Sequence, residues 1–182
     1  MRRLTSRKNR GPHPALAPDP ELLNRITLMV ASDDHLDFVS AAAGTTSLRA
    51  RLCIDVDAAL RLGPVHIGVR RSPLREPSAV AAFAKRAAAR GFAVGGVMFY
   101  EAQVAGLPHS SPPIGWMKRA STRELATRRG AVVNAVQSEV GALEIVNSGG
   151  TGSLEVSSAD PVVTEVTAGS GLYVPTLFDR YR

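Results

Sequence analysis

Short apolar runs of strand type alternate with helical patterns along most of the chain. Strands are predicted over residues 26–31, 51–57, 92–100, 142–146 and 162–167. Helices are predicted between them, over residues 33–43, 77–90 and 121–140. Parallel neighbours in a sheet require a crossover connection, so this alternation favours a parallel sheet with helices outside it.

Particular residues set the predicted ends of the helices. Ser32 offers an N-cap for the first helix and Gly44 ends it, while Gly91 closes the second. Ser121 and Glu124 have the spacing of a capping box, in which the two side chains satisfy each other's backbone N–H groups. The third helix is therefore predicted to begin at Ser121, with Lys118 in the loop before it.

The strand count leaves two architectures open. A closed (β/α)8 barrel needs eight strands, whereas an open doubly wound sheet is complete with five or six. Count alone therefore favours the open sheet.

Glycine-rich turns follow the last two predicted strands. Residues 147–153 read Asn-Ser-Gly-Gly-Thr-Gly-Ser, and residues 168–171 read Ala-Gly-Ser-Gly. Glycines bring backbone N–H groups close to an anion and can take positive φ, while Thr151 and Ser153 add hydroxyl donors. Two such turns on neighbouring strands resemble the phosphate site that (β/α)8 barrels build after strands 7 and 8.

Composition indicates one domain and argues against nucleic acid as a partner. The chain has 182 residues, of which 45% are hydrophobic and 21% are charged. This length and composition are sufficient for a globular domain with a core. Its net charge of +6 is concentrated near the start, at Arg2, Arg3, Arg7, Lys8 and Arg10. We predict a basic, proline-rich, disordered tail over residues 1–17 and a single domain over residues 18–182. There is no Lys/Arg stripe interleaved with aromatic residues.

Cysteine and histidine usage excludes several kinds of site. Cys53 is the only cysteine, so no intrachain disulfide forms and a reducing compartment is indicated. His13, His35 and His109 are scattered, and no pair has metal-ligand spacing. No apolar run approaches the roughly 18 residues of a membrane span, and prolines interrupt the basic N-terminus where a signal peptide is apolar. We predict a cytoplasmic protein with no membrane partner.

Several segments in combination look like the barrel domain of the fold-type III pyridoxal-phosphate enzymes. They are Asp55–Asp57 with Arg61–Gly63, His66–Arg70, Tyr100–Gln103, Asn147–Ser153 and Thr164–Gly171. Within that group the chain most resembles the branch of D-threonine aldolase, D-serine dehydratase and amino-acid deaminase, with alanine racemase as a more distant relative. The resemblance covers about residues 20–182 and implies strands four to eight of a partial (β/α)8 barrel.

The resemblance also implies a site. The cofactor phosphate is expected at the two turns, on Asn147, Gly149, Gly150, Thr151, Gly152, Gly169, Ser170 and Gly171. Arg61 is expected to reach the phenolic oxygen of the pyridoxal phosphate, Tyr100 to contact cofactor or substrate, and His66 to contact substrate. Plainer interpretations stay open: ordinary tight turns, an Arg61–carboxylate pair, a tyrosine at the edge of the core, and a histidine bonded to a carbonyl.

Two aspartates on the second strand need partners. Asp55 and Asp57 alternate with apolar residues, so both point to one face of the sheet. Carboxylates are buried only when they are paired, and Arg61 is a nearby candidate.

The lysine that the chemistry requires has no clear counterpart. Pyridoxal phosphate forms a Schiff base with a lysine, which the resembling enzymes carry at the end of the first barrel strand. Lys8 lies in the basic tail, Lys85 on a predicted outer helix and Lys118 in a loop. The domain that holds the metal ligands of the zinc-dependent members has no counterpart either. We therefore expect an internal piece of a longer enzyme, inactive alone, pairing with a second copy or a complementing N-terminal piece.

Three functions follow from these observations. The first is the barrel fragment of a pyridoxal-phosphate-dependent D-amino-acid lyase, aldolase or deaminase, whose small-molecule partner is a D-amino acid. The second is a non-enzymatic module that binds phosphate or pyridoxal phosphate without a covalent bond. The third, a Rossmann-type phosphate binder, is disfavoured because residues 149–152 lack GxGxxG spacing and no long amphipathic helix follows them.

Overall fold

The computed structural model describes residues 25–43, 50–106, 112–173 and 176. The predicted tail, residues 1–17, lies outside the described residues, and so do Lys8 and Gly44.

Seven strands and five helices make up the described fold. The strands are β1 Thr27–Val30, β2 Arg51–Val56, β3 Leu60–Leu62, β4 Val65–Ile67, β5 Ala93–Phe99, β6 Ile145–Ser148 and β7 Glu165–Val166. The helices are α1 Asp33–Ala43, α2 Pro77–Ala89, α3 Ala102–Ala105, α4 Pro112–Val140 and α5 Leu154–Ser158. Short 3-10 turns span Thr151–Ser153 and Gly169–Tyr173.

The main sheet has five strands in the order β1-β2-β5-β6-β7, and every neighbouring pair is parallel. Spatial order follows chain order without reversal, whereas a doubly wound sheet reverses direction at a switch point. Crossovers between parallel strands are right-handed, so continued winding in one direction places all the helices on one face. That is the winding of a (β/α)8 barrel, and the predicted fold class is confirmed.

The core lies between this sheet and the helices. Ile54 on β2, Phe99 on β5 and Phe83 on α2 are almost completely buried, and Leu125 and Val132 on α4 cover them from outside. Cys53 alternates with Ile54 on β2 and is buried on the other face of the sheet, where burial raises the pKa of its thiol to about 12. No described helix has both the length and the apolar character needed to cross a membrane.

The start predicted for the third helix is wrong. Helix α4 begins at Pro112, so Ser121 lies inside the helix, fully buried, and accepts a hydrogen bond from Gln103 Nε2 at 2.7 Å. Glu124 binds Arg75 and Arg128 instead of capping the helix, at 3.0 and 2.8 Å. Prolines are compatible with the first turn of a helix, which explains how α4 begins within the proline-rich segment. Lys118 therefore lies on a helix and not in a loop.

The structure adds a hairpin that the sequence did not predict and corrects the bounds of two strands. The long loop after β2 contains the antiparallel hairpin of β3 and β4, with Gly63 at φ +58° in its turn. The last strand is much shorter than predicted and spans only Glu165–Val166. The preceding strand lies later in the chain than predicted, so Asn147 and Ser148 belong to β6 and the turn starts at Gly149.

We predict that Gly96→Ala lowers the free energy of unfolding. A Cβ atom at Gly96 lies 2.7 Å from the carbonyl oxygen of Ile145, so β5 and β6 must separate to accept it. Overpacking of this kind typically costs about 1–3 kcal/mol. Denaturant unfolding followed by circular dichroism measures the change.

Gly95→Ala is the matched control for Gly96→Ala. The neighbouring glycine has only the Arg51 guanidinium nearby, 3.8 Å from an added Cβ. This variant should match or slightly exceed the parent protein, because alanine restricts the unfolded chain more than glycine does. Equal stability of the two variants would contradict the close approach of β5 and β6.

Candidate functional site

The carboxyl ends of β5, β6 and β7 meet at one edge of the sheet. Parallel strands all end on the same side, and binding sites of α/β folds lie there. Tyr100 and Glu101 follow β5, Gly149 follows β6, and Thr167 follows β7. The candidate site is built on these strand ends.

Glu101 holds the first glycine turn in place. Its carboxylate is 3% exposed and accepts hydrogen bonds from Ser148 Oγ at 3.0 Å, the Gly149 amide at 3.2 Å and Ser153 Oγ at 3.1 Å. The hydroxyl of Ser157 on α5 also donates to it. One buried carboxylate therefore joins the end of β5 to the end of β6, the turn and α5.

The same network continues toward α4. Arg129 donates from Nη2 to Ser148 Oγ at 2.8 Å and pairs with Asp160 through Nη1. Its guanidinium also lies over the Phe99 ring, 5.4 Å from the ring centroid. These contacts hold the end of β6, where the chain enters the turn, against α4.

Glycine is required at two positions of the first turn. Gly149 has φ +109°, and a Cβ there would lie 2.8 Å from Val166 Cγ1. Gly150 is extended at φ −172°, but a Cβ there would lie 2.6 Å from Ala105 Cβ and 3.2 Å from the Tyr100 ring. Only the first of these has the positive φ that the sequence suggested, and the second is needed for close approach.

The two turns lie side by side. Thr151 Oγ1 and Ser170 Oγ are 2.7 Å apart and share a hydrogen bond. Below them, the Asn147 side chain on β6 donates to Glu165 Oε1 at 2.5 Å and to Thr167 Oγ1 at 2.6 Å. The Asn147 amide thus ties β6 to β7, and its role seen here is to hold the two turns together.

A cavity of about 490 Å³ opens between the turns and the strand ends. Seven of the residues singled out from the sequence line it: Tyr100, Asn147, Gly149, Gly150, Thr151, Gly169 and Ser170. Residues that the sequence did not indicate complete the lining: Met29, Arg71, Met98, Ala105, Gly106 and Thr167. Gly171 packs against the Thr151 side chain, and Gly152 lines a second cavity behind the turn.

Backbone donors remain available in the cavity. The amide of Gly149 donates to Glu101, and that of Gly171 donates to the Ala168 carbonyl at 3.0 Å. Within the described residues, no protein acceptor takes up the amides of Gly150, Thr151, Gly169 and Ser170, all of which line the cavity. Amides of this kind, with the hydroxyls of Thr151 and Ser170, form a site for an anion.

Arg61 and His66 lie on the β3–β4 hairpin and do not line this cavity. Arg61 Nη2 donates to Asp57 Oδ2 at 2.8 Å, and His66 Nε2 lies 3.6 Å from the same oxygen. Arg75 approaches that carboxylate as well, at 3.9 Å. The buried Asp57 therefore has the arginine partner that its burial predicted, and the hairpin is held by these contacts.

Arg71 enters the cavity from the loop after β4. Its Nε lies 3.4 Å from Asp55 Oδ2, and its guanidinium lies over the Tyr100 ring, 5.3 Å from the centroid. Burial raises the pKa of the Asp55 carboxyl, while the Arg71 charge acts in the opposite direction. Nothing in the spacing of Arg70 and Arg71 distinguishes them in the sequence, so only the fold identifies Arg71.

Neither described lysine lines the cavity. Lys85 is exposed on α2 and pairs with Glu139 at 2.9 Å. Lys118 is 4% exposed on α4, where burial lowers its pKa, and it lines the second cavity behind the glycine turn. The described residues contain no group of three or more His, Cys, Asp or Glu side chains able to hold a metal ion.

We predict that Glu101→Ala lowers the free energy of unfolding by about 3 kcal/mol, because buried donors left without an acceptor cost about 1–3 kcal/mol each. Hydrogen exchange at Gly149 should also accelerate, since its amide loses its acceptor. Glu101→Gln should restore much of the stability. Its amide oxygen can accept from Gly149, and its NH2 group can donate to the serine hydroxyls.

Glu155→Ala, on the exposed side of α5, is the matched control and should leave both measurements unchanged. Parental stability and Gly149 exchange in Glu101→Ala would show that the carboxylate does not hold the turn.

Comparison of whole folds finds similar solved structures. D-threonine aldolase from Filomicrobium marinum matches with a TM-score of 0.69 and 16% identity, over 90% of this chain and 41% of that one. D-threo-3-hydroxyaspartate dehydratase from Delftia sp. HT23 matches with a TM-score of 0.58 and 20% identity, over 87% of this chain and 40% of that one. An alanine racemase from Clostridium difficile 630 matches with a TM-score of 0.51 and 12% identity, over 82% and 36%.

These matches establish the fold. The chain spans about two fifths of the length of the first two solved structures, at 41% and 40%. No family model matches the chain, and no curated protein matches it significantly. The described chain therefore has the fold of a partial (β/α)8 barrel similar to D-threonine aldolase and alanine racemase, which confirms the predicted resemblance at the level of the fold.

Proposed function

We propose that the cavity between the glycine turns binds pyridoxal phosphate through its phosphate group. The observation that carries this proposal is the meeting of two glycine turns, linked by Thr151 and Ser170, around one cavity at the carboxyl edge of a parallel sheet. The solved structures of similar fold support it, since this edge is where (β/α)8 barrels hold phosphate.

The residues present fit this cofactor. The cavity volume of about 490 Å³ lies within the range of roughly 300–1,000 Å³ that small-molecule sites have. Side chains at Gly149 and Gly150 would collide with neighbouring residues, and four backbone amides have no protein acceptor within the described chain. Tyr100 lies beside Gly150 and lines the same cavity, where its ring offers an aromatic surface to the cofactor.

We further propose that the chain supplies the phosphate-holding part of an enzyme acting on D-amino acids, as a lyase, aldolase or deaminase. Pyridoxal phosphate, when bound, stabilises negative charge at the α-carbon of an amino acid. The names of two similar structures, D-threonine aldolase and D-threo-3-hydroxyaspartate dehydratase, support a D-amino acid as substrate class. In this proposal Tyr100 and the turns orient the cofactor, and the catalytic lysine is not one of the described residues.

A second function rests on the positions of the lysines. Lys85 and Lys118 both lie away from the cavity lining, which supports a second proposal, in which the described chain binds the cofactor without a covalent bond. A module that holds pyridoxal phosphate, or another phosphate ester, in this way is the alternative to a catalytic role. The two functions differ in whether D-amino acids are converted once a ligand is bound.

We predict saturable, phosphate-competable binding of pyridoxal phosphate to the full chain. Pyridoxal, which lacks the phosphate, should bind at least about tenfold more weakly, because the charge-assisted hydrogen bonds of the turns are lost. Borohydride reduction followed by peptide mass mapping should give no label at Lys85 or Lys118 that inorganic phosphate competes away.

Equal affinity for pyridoxal and pyridoxal phosphate would contradict the phosphate site. A borohydride-stable label on Lys118 would place the cofactor in the second cavity, behind the turn, and would contradict the proposed position. Conversion of D-threonine or D-serine by the loaded chain, compared with the same assay without cofactor, separates the enzyme from the binding module.

Gly150→Ala should weaken pyridoxal phosphate binding by at least about tenfold, because the new methyl group pushes the turn away from Ala105 and Tyr100. Gly130→Ala, on α4 with open space around it, is the matched glycine control and should keep the parental affinity. Titration followed by absorbance measures both. Unchanged affinity in a folded Gly150→Ala protein would argue against the turn as the binding element.

A further inference from the structure

Arg71 is the only cationic side chain that lines the cavity among the described residues. We propose that Arg71 binds the carboxylate of an amino-acid ligand whose phosphate end rests on the glycine turns. This inference rests on the proposed function and deepens it, because it names the residue that recognises the amino-acid part of the ligand.

The Arg71 side chain is held by contacts on two sides. Asp55 faces its Nε at 3.4 Å, and the Tyr100 ring lies under the guanidinium plane. The side chain is nevertheless 45% exposed, and within the described chain no hydrogen bond takes up Nη1 or Nη2. The Nη1 and Nη2 groups of Arg71 are therefore held in place and remain available to a ligand.

An arginine fork in this state suits a carboxylate. Two parallel N–H groups match the two oxygens of a carboxylate, and the planar group stacks on an aromatic ring while it binds. Asp55 occupies only the Nε edge and is itself 9% exposed, so it orients the guanidinium without covering it. Tyr100 links this arginine to the turn, since its ring also lies beside Gly150.

Arg71 and the glycine turns belong to different strands. Arg71 contacts Asp55 on β2, whereas the turns follow β6 and β7, with β5 between. Both line the same cavity. In this proposal a cofactor joined to an amino acid contacts both, with its phosphate on the turns and its carboxylate on Arg71.

The test compares two stable ligands that differ in one charge. Phosphopyridoxyl-D-alanine carries the phosphate, ring and carboxylate in one molecule, and phosphopyridoxyl-D-alaninamide has the same shape with a neutral amide. The full chain should bind the acid about tenfold more tightly than the amide, as expected for a charge-assisted pair. Calorimetric titration gives both affinities without any turnover.

Arg71→Gln should abolish the preference for the acid, weakening binding of the acid much more than binding of the amide, while Arg71→Lys should retain part of the preference. Arg70→Gln is the matched control, because the adjacent exposed arginine does not line the cavity, and it should keep the full preference. Circular dichroism confirms that each variant is folded.

Three results would overturn the role of Arg71. They are equal binding of acid and amide by the parent chain, equal loss of both ligands in Arg71→Gln, and the same effect in Arg70→Gln. After either of the first two results, the proposed phosphate site would still stand if inorganic phosphate displaces the bound amide ligand. Failure of both ligands to bind the parent chain would instead overturn the proposed function, and the role of Arg71 with it.

Discussion

A buried carboxylate loses its hydration, and its burial is tolerated only where hydrogen-bond donors replace the water. Glu101 meets this requirement with three serine hydroxyls and one backbone amide, all from the segment between Ser148 and Ser157. Because a missing donor would be costly, the network sets where the glycine turn lies relative to β5. The positions of Gly150 against Tyr100 and of Thr151 beside the second turn follow from it.

The winding of the sheet supplies the second half of the site. Each strand is added beside the previous one in the main sheet, so consecutive strand ends are neighbours at one edge. The two glycine turns therefore meet in space because β6 and β7 are adjacent. A doubly wound sheet would place a helix on the opposite face at its reversal and would separate successive turns. The side-by-side placement of the two glycine turns is thus a consequence of both topology and the Glu101 network.

Local patterns predicted much of the fold. The apolar runs indicated all five strands of the main sheet, and the helical patterns indicated α1, α2 and the end of α4 at Val140. The start of α4 was missed because Ser121 and Glu124 fit a capping box, whereas tertiary partners, Gln103 and Arg75, occupy both side chains. A local motif was outweighed by contacts that no short sequence window contains.

The residues of the site likewise divide into those that the sequence indicated and those that depend on distant contacts. Gly149 and Gly150 could be recognised because clustered glycines indicate a close approach of the backbone. Seven of the residues chosen from the sequence line one cavity. Glu101 was not recognisable, since its partners lie 47 to 56 residues further along the chain. The position of Arg71 depends on Asp55 and Tyr100, which lie on two other segments of the chain. Arg61 was expected at the cofactor because its segment resembles those of known enzymes, yet its observed partner is Asp57.

The most direct test of the phosphate site is an NMR titration of the full chain with pyridoxal phosphate, following the backbone amides and the ³¹P signal together. We expect the amides of Gly150, Thr151, Gly169 and Ser170 to shift in one saturable process with the ³¹P resonance, with little change around Lys118. Shifts confined to the Lys118 cavity, or to only one of the two turns, would contradict a phosphate site built jointly by both.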